Sequence, residues 1–377
     1  RPFCLPGYPP LLVVRTRNAD EVAASTEPST RRSAVPIDRP APDVPIARRI
    51  QSPGVLVPSQ IAAVARNTFL ESIRQPITLV LLLLTLGLLT LNPALSSYTL
   101  EDDDRLLRDI ALSTVFVGGL FLAGFTGAAA LSEEIRTRTV LSVVSKPLAR
   151  PSFLIGKYLG AFGAVAAIES IWALGLLFSL RHGTLMSVRD PYHEPVLYFG
   201  FGALACALLF ALFANYFRGA SFGSALTVLL AVLLAIALIP AFSFDARWQR
   251  VPFLDQFDPT LLAALFLVLQ AHAVLCAVSI AAATRLGRST TLIITTLFFL
   301  AGLTSEYFLG NLIDGSWIAR ASYALLPNLQ YLWLGDALLE GRTVSPSYLV
   351  LVSVYCGLFV IGALGVATAL FQSRDVG

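Results

Sequence analysis

The chain has 377 residues, of which 56% are hydrophobic and only 14% charged, with a net charge of +3. A soluble domain carries about 25% charged residues, so an ordinary water-soluble protein is excluded, and the near-balanced charge gives no electrostatic case for a nucleic-acid partner. The four cysteines form no CxxC or Cys/His pair with metal-ligand spacing, so no metal site is expected.

Residues 1–58 hold 11 of the 22 prolines among scattered arginines. Such a segment buries too little apolar surface to offset chain entropy. It reads as a disordered tail, leaving 59–377 as the folded membrane domain. Residues 59–75 read SQIAAVARNTFLESIRQ. At about 100° per residue, Ile61, Ala62, Ala65, Phe69 and Ile73 share one arc, and Gln60, Asn67, Glu71, Arg74 and Gln75 the opposite one. That separation predicts an amphipathic helix suited to the membrane interface, broken by Pro76.

Eight apolar stretches follow, near 76–97, 110–132, 154–180, 196–217, 221–243, 260–284, 289–309 and 347–371. Each approaches or exceeds the roughly 20 helical residues that cross a bilayer core. Strand-type alternation is absent, so the fold class is all-α, a polytopic helical membrane bundle. The pair joined by Asn215 to Ala220 also reads as a re-entrant hairpin, so a count of six spans stands beside eight. With both ends inside, the inner loops and ends hold 11 Lys and Arg against 8 outside, and the tail adds 8 more inside. The positive-inside rule then puts both ends in the cytoplasm.

Residues 132–157 read SEEIRTRTVLSVVSKPLARPSFLIGK. Ser132 is suited to cap a helix with Glu133 and Glu134 in its first turn, at the positive end of the dipole. Arg136 and Arg138 follow, Pro147 stops the helix, Pro151 starts the next element, and Lys157 snorkels at the start of the third span. The expectation is a short, charged cytoplasmic helix between two spans. Glu134-Ile135, Arg138-Thr139, Ser145-Lys146-Pro147-Leu148, Arg150, Phe153 and Gly156-Lys157 resemble the signature that follows the second span in ABC-2 type permeases. The nearest branch is the one that includes permeases of nitrous-oxide-reductase maturation. Pro327-Asn328-Leu329-Gln330-Tyr331 before the last span and Phe371-Gln372-Ser373-Arg374-Asp375 at the end extend the resemblance over roughly residues 58–377.

The resemblance implies a permease in a bacterial inner membrane, associated with a second permease copy. It implies docking on an ABC ATPase through the helix after the second span, with Glu133, Glu134, Arg136, Arg138, Lys146 and Arg150 as the coupling surface. The chain has no GxxxxGK[ST] phosphate cradle, so ATP would be bound by the partner subunit and no cofactor by this one. Export of an unidentified substrate is the implied activity.

Glu169 falls in the middle of the third span and His272 in the middle of the sixth, with Gln270 close by in sequence. Ionisable groups at that depth face the bundle interior, either on a pathway or hydrogen-bonded between helices. Glu306, near the outer end of the seventh span, is more easily solvated. Gly156 and Gly160 permit close helix approach, as do Gly357, Gly362 and Gly365. Gly219-Ala220-Ser221-Phe222-Gly223 matches GxSxG and with His272 would suggest an intramembrane serine hydrolase, but the strand-turn-helix context of that motif is missing. A secondary transporter working without an ATPase is the other alternative, and it would want matched broken helices in two halves. No catalytic residue is assigned.

Overall fold

The computed structural model describes residues 58–96, 103–136, 150–184, 192–310, 317–339 and 342–372. Arg138 and Lys146, with the cytoplasmic helix expected around them, lie outside the described residues, as does the proline-rich tail up to residue 57.

The first helix, α1 (Pro58–Arg74), ends where Pro76 cannot continue it, and α2 (Pro76–Ser96) starts on that proline. Then come α3 (Asp103–Arg136), α4 (Arg150–His182), α5 (Glu194–Arg218), α6 (Phe222–Ser243), α7 (Pro259–Ala283) and α8 (Arg288–Leu309). Two short helices, α9 (Trp317–Leu325) and α10 (Gly335–Leu339), precede α11 (Pro346–Gln372). Among the described residues, eight helices are long and apolar enough to cross a membrane: α2 to α8, and α11. No strand occurs among them, only an isolated bridge between Phe244 and Arg250.

The α5–α6 pair consists of two full-length helices, which removes the re-entrant alternative. Between them Gly219 adopts φ +62°, a left-handed cap open to glycine. Its N–H donates to the Asn215 carbonyl at 3.2 Å, and the Asn215 side chain donates to the Ala220 carbonyl at 2.8 Å. The start of α7 is set by Asp258, whose side chain accepts from the Thr260 N–H at 2.9 Å, with Pro259 at the first position.

Helix α3 sits at the centre, against α2, α4, α7 and α8. The α5–α6 hairpin leans on α4 through α6, and α11 packs outside α7. Lipid is as apolar as leucine, so close packing and interhelical hydrogen bonds hold such a bundle more than water exclusion does. Both occur here. Trp172 on α4 donates its indole N–H to the Leu82 carbonyl of α2 at 3.2 Å, and Ser279 on α7 donates to the Gly124 carbonyl of α3 at 2.9 Å.

Three expectations change in detail. Ser132 does not start a new helix: α3 runs on through Arg136, because no glycine or proline interrupts Ala128 to Arg136. Helix α1 has a docked face. Gly156 and Gly160 of α4 form a bare seat for it, and a Cβ on Gly160 would stand 2.3 Å from the Ala65 carbonyl oxygen. The buried stripe therefore includes Thr68 and Ser72 besides Ile73, while Ala62 is exposed. On α11, a Cβ added to Gly357, Gly362 or Gly365 would meet nothing within 4 Å among the described residues, so these glycines seat no neighbouring helix of the same subunit. Among the cysteines, Cys276 and Cys356 are buried and Cys206 is exposed on α5.

We call the end of the bundle where α4 starts and α11 finishes proximal, and the opposite end distal. Arg150 and Gln372 meet at the first, and Arg108 and Asp258 pair at 3.1 Å at the second.

Candidate functional site

Three central helices bring their polar groups to one point. Nδ1 of His272, on α7, lies 2.9 Å from Oε2 of Glu169, on α4. Nε2 of His272 lies 3.0 Å from the Phe116 carbonyl of α3. A carbonyl only accepts, so Nε2 carries a hydrogen, and a second hydrogen lies between Nδ1 and the carboxyl. The pair thus shares one proton in a space where His272 is 0% and Glu169 4% exposed. Oε1 of Glu169 is buried and has no hydrogen-bond partner among the described residues.

Gly119 makes this approach feasible, since a Cβ there would stand 2.1 Å from Cε1 of His272. The Phe116 ring lies 5.8 Å from the imidazole, and beyond it are Phe299 at 5.1 Å and Trp333 at 5.2 Å. A chain of tilted aromatic contacts therefore runs from the polar centre to the segment before α11. Gln270 points elsewhere: its amide donates to Ser353 of α11 at 2.9 Å. Two residues apart on a helix means about 200° of rotation, enough to face another neighbour.

Both ring nitrogens of His272 are engaged inside the bundle, and Ser221 stands at the N-terminus of α6 in extended backbone. Among the described contacts, nothing links that serine to an imidazole base.

A second arrangement lies at the proximal end. Arg150 donates through Nη1 to the Gln372 carbonyl at 2.9 Å, and the Phe153 and Phe371 rings stack at 6.0 Å. Lys157 does not snorkel as expected: it is buried, with Nζ 5.6 Å from the Phe153 ring centroid. The backbone of Glu133, Glu134 and Arg136 forms the last turns of α3.

The distal end holds a network that sequence reading missed. Glu306 accepts from the Tyr323 hydroxyl at 2.6 Å and from the Asn328 amide at 2.9 Å. The hydrogen bond to Glu306 pushes the Tyr323 phenol above its ordinary pKa, with Tyr331 adding to the effect. Asn328 also caps the following turn by accepting from the Gln330 N–H at 3.0 Å. The Pro327-Asn328 turn was the available signal, since asparagine there commonly bonds forward to backbone.

No protein-family model matches the chain, and no curated protein matches it.

Proposed function

We propose that this chain is the membrane-spanning permease subunit of an ABC-2 type exporter in a bacterial inner membrane. ATP hydrolysis on a separate subunit would drive it, and a second permease copy would complete the pathway. One observation carries the reading. The segments that resemble ABC-2 permeases lie far apart in sequence, yet Arg150 and Phe153 of one meet Gln372 and Phe371 of the other. A segment pushed by an ATPase between α3 and α4 would act on this junction. Charged ends of α3 and α4 at one face suit docking of a soluble subunit.

Purification of the full chain from its own membranes tests this. A nucleotide-hydrolysing subunit is expected to co-purify and to be lost on combined Arg136→Glu and Arg138→Glu. An equal yield of that subunit with the charge-reversed chain overturns the coupling assignment, and no such subunit with the unaltered chain overturns the function.

One observation favours a second reading, a secondary transporter. The buried Glu169–His272 pair shares a proton near mid-span, where proton relays of such carriers sit. Proton uptake by liposomes holding the chain alone, lost on Glu169→Gln, would select it.

A further inference from the structure

A cavity of about 380 Å³ lies between α2, α4, α5 and α6 in the distal half of the bundle. Its lining runs from Leu86 to Ala94 on α2 and from Val196 to Leu204 on α5, about 12 Å of each helix. That length covers most of one leaflet, since the whole hydrocarbon core is about 30 Å thick. Helix α2 packs mainly on α3 and α4, and α5 mainly on α6, which leaves a slot between α2 and α5. Thr90, Ala94 and Phe201 line the cavity and are exposed, so the slot opens sideways. At that depth the medium outside is hydrocarbon. Leu86 and Phe178 line the cavity from its buried side.

Glycines give this inner wall its form. A Cβ on Gly175 would stand 2.6 Å from Cδ1 of Leu86 and displace that leucine. On α5, a Cβ on Gly200 would stand 3.3 Å from the Phe178 ring. The wall offers nothing to an ion or to water. Among the described residues, no Asp, Glu, Lys or Arg lines the cavity. A buried water makes about three hydrogen bonds. Here the Thr90 hydroxyl already donates to the Leu86 carbonyl, and Oγ of Ser179 already accepts from the Asn92 amide. His182 and Tyr192 line the cavity only at its distal end, where α4 finishes and α5 is about to begin.

We propose that the slot between α2 and α5 is a binding site for one hydrocarbon chain of a bilayer lipid, held by shape and not by headgroup. An apolar cavity of about 150 Å³ stays dry and takes up benzene, so on that scale this one has room for roughly a dozen chain carbons. A chain gains no hydrophobic energy on passing from lipid into an apolar wall, so close contact with Leu86, Phe178 and Leu204 is what retains it. The headgroup stays in the distal interface and makes no part of the site. The assignment does not depend on an ATPase partner.

The test uses the full chain in phosphatidylcholine vesicles doped with a phosphatidylcholine or a phosphatidylglycerol probe, each with a photoreactive group on the acyl chain. Lipid that merely surrounds the protein reaches exposed residues such as Val354 of α11. A chain in the slot is expected to label Leu86 and Phe178 as well, and to the same extent from either headgroup. Leu204→Trp, which fills the slot, should abolish that inner-wall labelling. Ala94→Phe should do so from the exposed mouth, where the new ring leaves the core untouched. Loss in either variant, with Val354 still labelled, supports the site. Labelling confined to exposed residues, inner-wall labelling that follows the headgroup, or inner-wall labelling that survives both variants overturns the proposal.

Discussion

The Glu169 carboxyl and the His272 imidazole stand 2.9 Å apart, joined across 103 residues of sequence. Their contact, with the Phe116 carbonyl on the far side of the ring, fastens α3, α4 and α7 at mid-depth. Measured interhelical hydrogen bonds in membranes contribute about 0.6 kcal/mol each, and at most about 1.7. Glu169→Ala is therefore expected to lower stability by about 1–2 kcal/mol in detergent unfolding. Glu169→Gln keeps a donor toward Nδ1 and should stay within about 1 kcal/mol of the unaltered chain.

Gly119→Ala forces a methyl group into the His272 ring, with an undisturbed separation of 2.1 Å. Overpacking of this kind costs about 1–3 kcal/mol, and a matching fall in melting temperature is expected. Gly357→Ala, with nothing within 4 Å, is the internal control and should not lower it.

The seating of α1 can be read by chemical labelling. Thr68 is 1% exposed, so a Thr68→Cys thiol should resist maleimide. Adding Gly160→Val pushes against the Ala65 carbonyl, which cannot swing aside as a side chain would. The thiol should then label rapidly; continued protection would mean that α1 is held by something other than this seat.

His193 gives a pH dependence. Burial, and after it the Arg181 charge, push its imidazole below the ordinary value, with His182 acting in the same direction and Asp245 against it. The unfolded chain has the ordinary pKa of about 6.5. Below that pH the unfolded state binds more protons than the folded state, so stability is lost as the pH falls through 6.5 toward the folded value. In neutral, lipid-free detergent, melting temperature should decline between about pH 7 and pH 5. The decline should be shallower in His193→Gln; identical slopes would remove His193 as the cause.

Phe153 and Phe371 should be energetically coupled. A double-mutant cycle with alanine at both positions is expected to give about 0.5–1.5 kcal/mol, the usual range for aromatic pairs. A coupling near zero would mean that the stack contributes only contact area.

What the sequence made legible follows from the physics of the bilayer. Apolar runs mark depth, so the spans and the break at Pro76 could be read from residue types alone. Rotation about each helix axis could not. Gln270 and His272 lie two residues apart in equally apolar surroundings, and no pattern says that one faces Ser353 and the other Glu169. The seat for α1 was half legible: Gly156 and Gly160 marked a close approach, but not which helix they receive. Amphipathicity located the polar arc of α1 but not the two α4 glycines that shift its contact stripe toward Thr68 and Ser72. Ser132 misled because a good capping residue also tolerates a helix interior when nothing downstream breaks the helix.

The junction of Arg150 with Gln372 has a mechanical side. Helix α11 has 27 residues, which makes it about 40 Å long. Its far end holds the Pro327–Tyr331 turn: the Tyr355 hydroxyl accepts from the Asn328 N–H at 2.9 Å, and the Tyr348 hydroxyl donates to the Tyr331 carbonyl at 2.7 Å. A stiff rod fixed at both ends transmits axial force with little loss. Any displacement of α11 along its axis would therefore be felt at both ends, at Arg150 where α4 begins and at Asn328, the residue whose amide donates to Glu306.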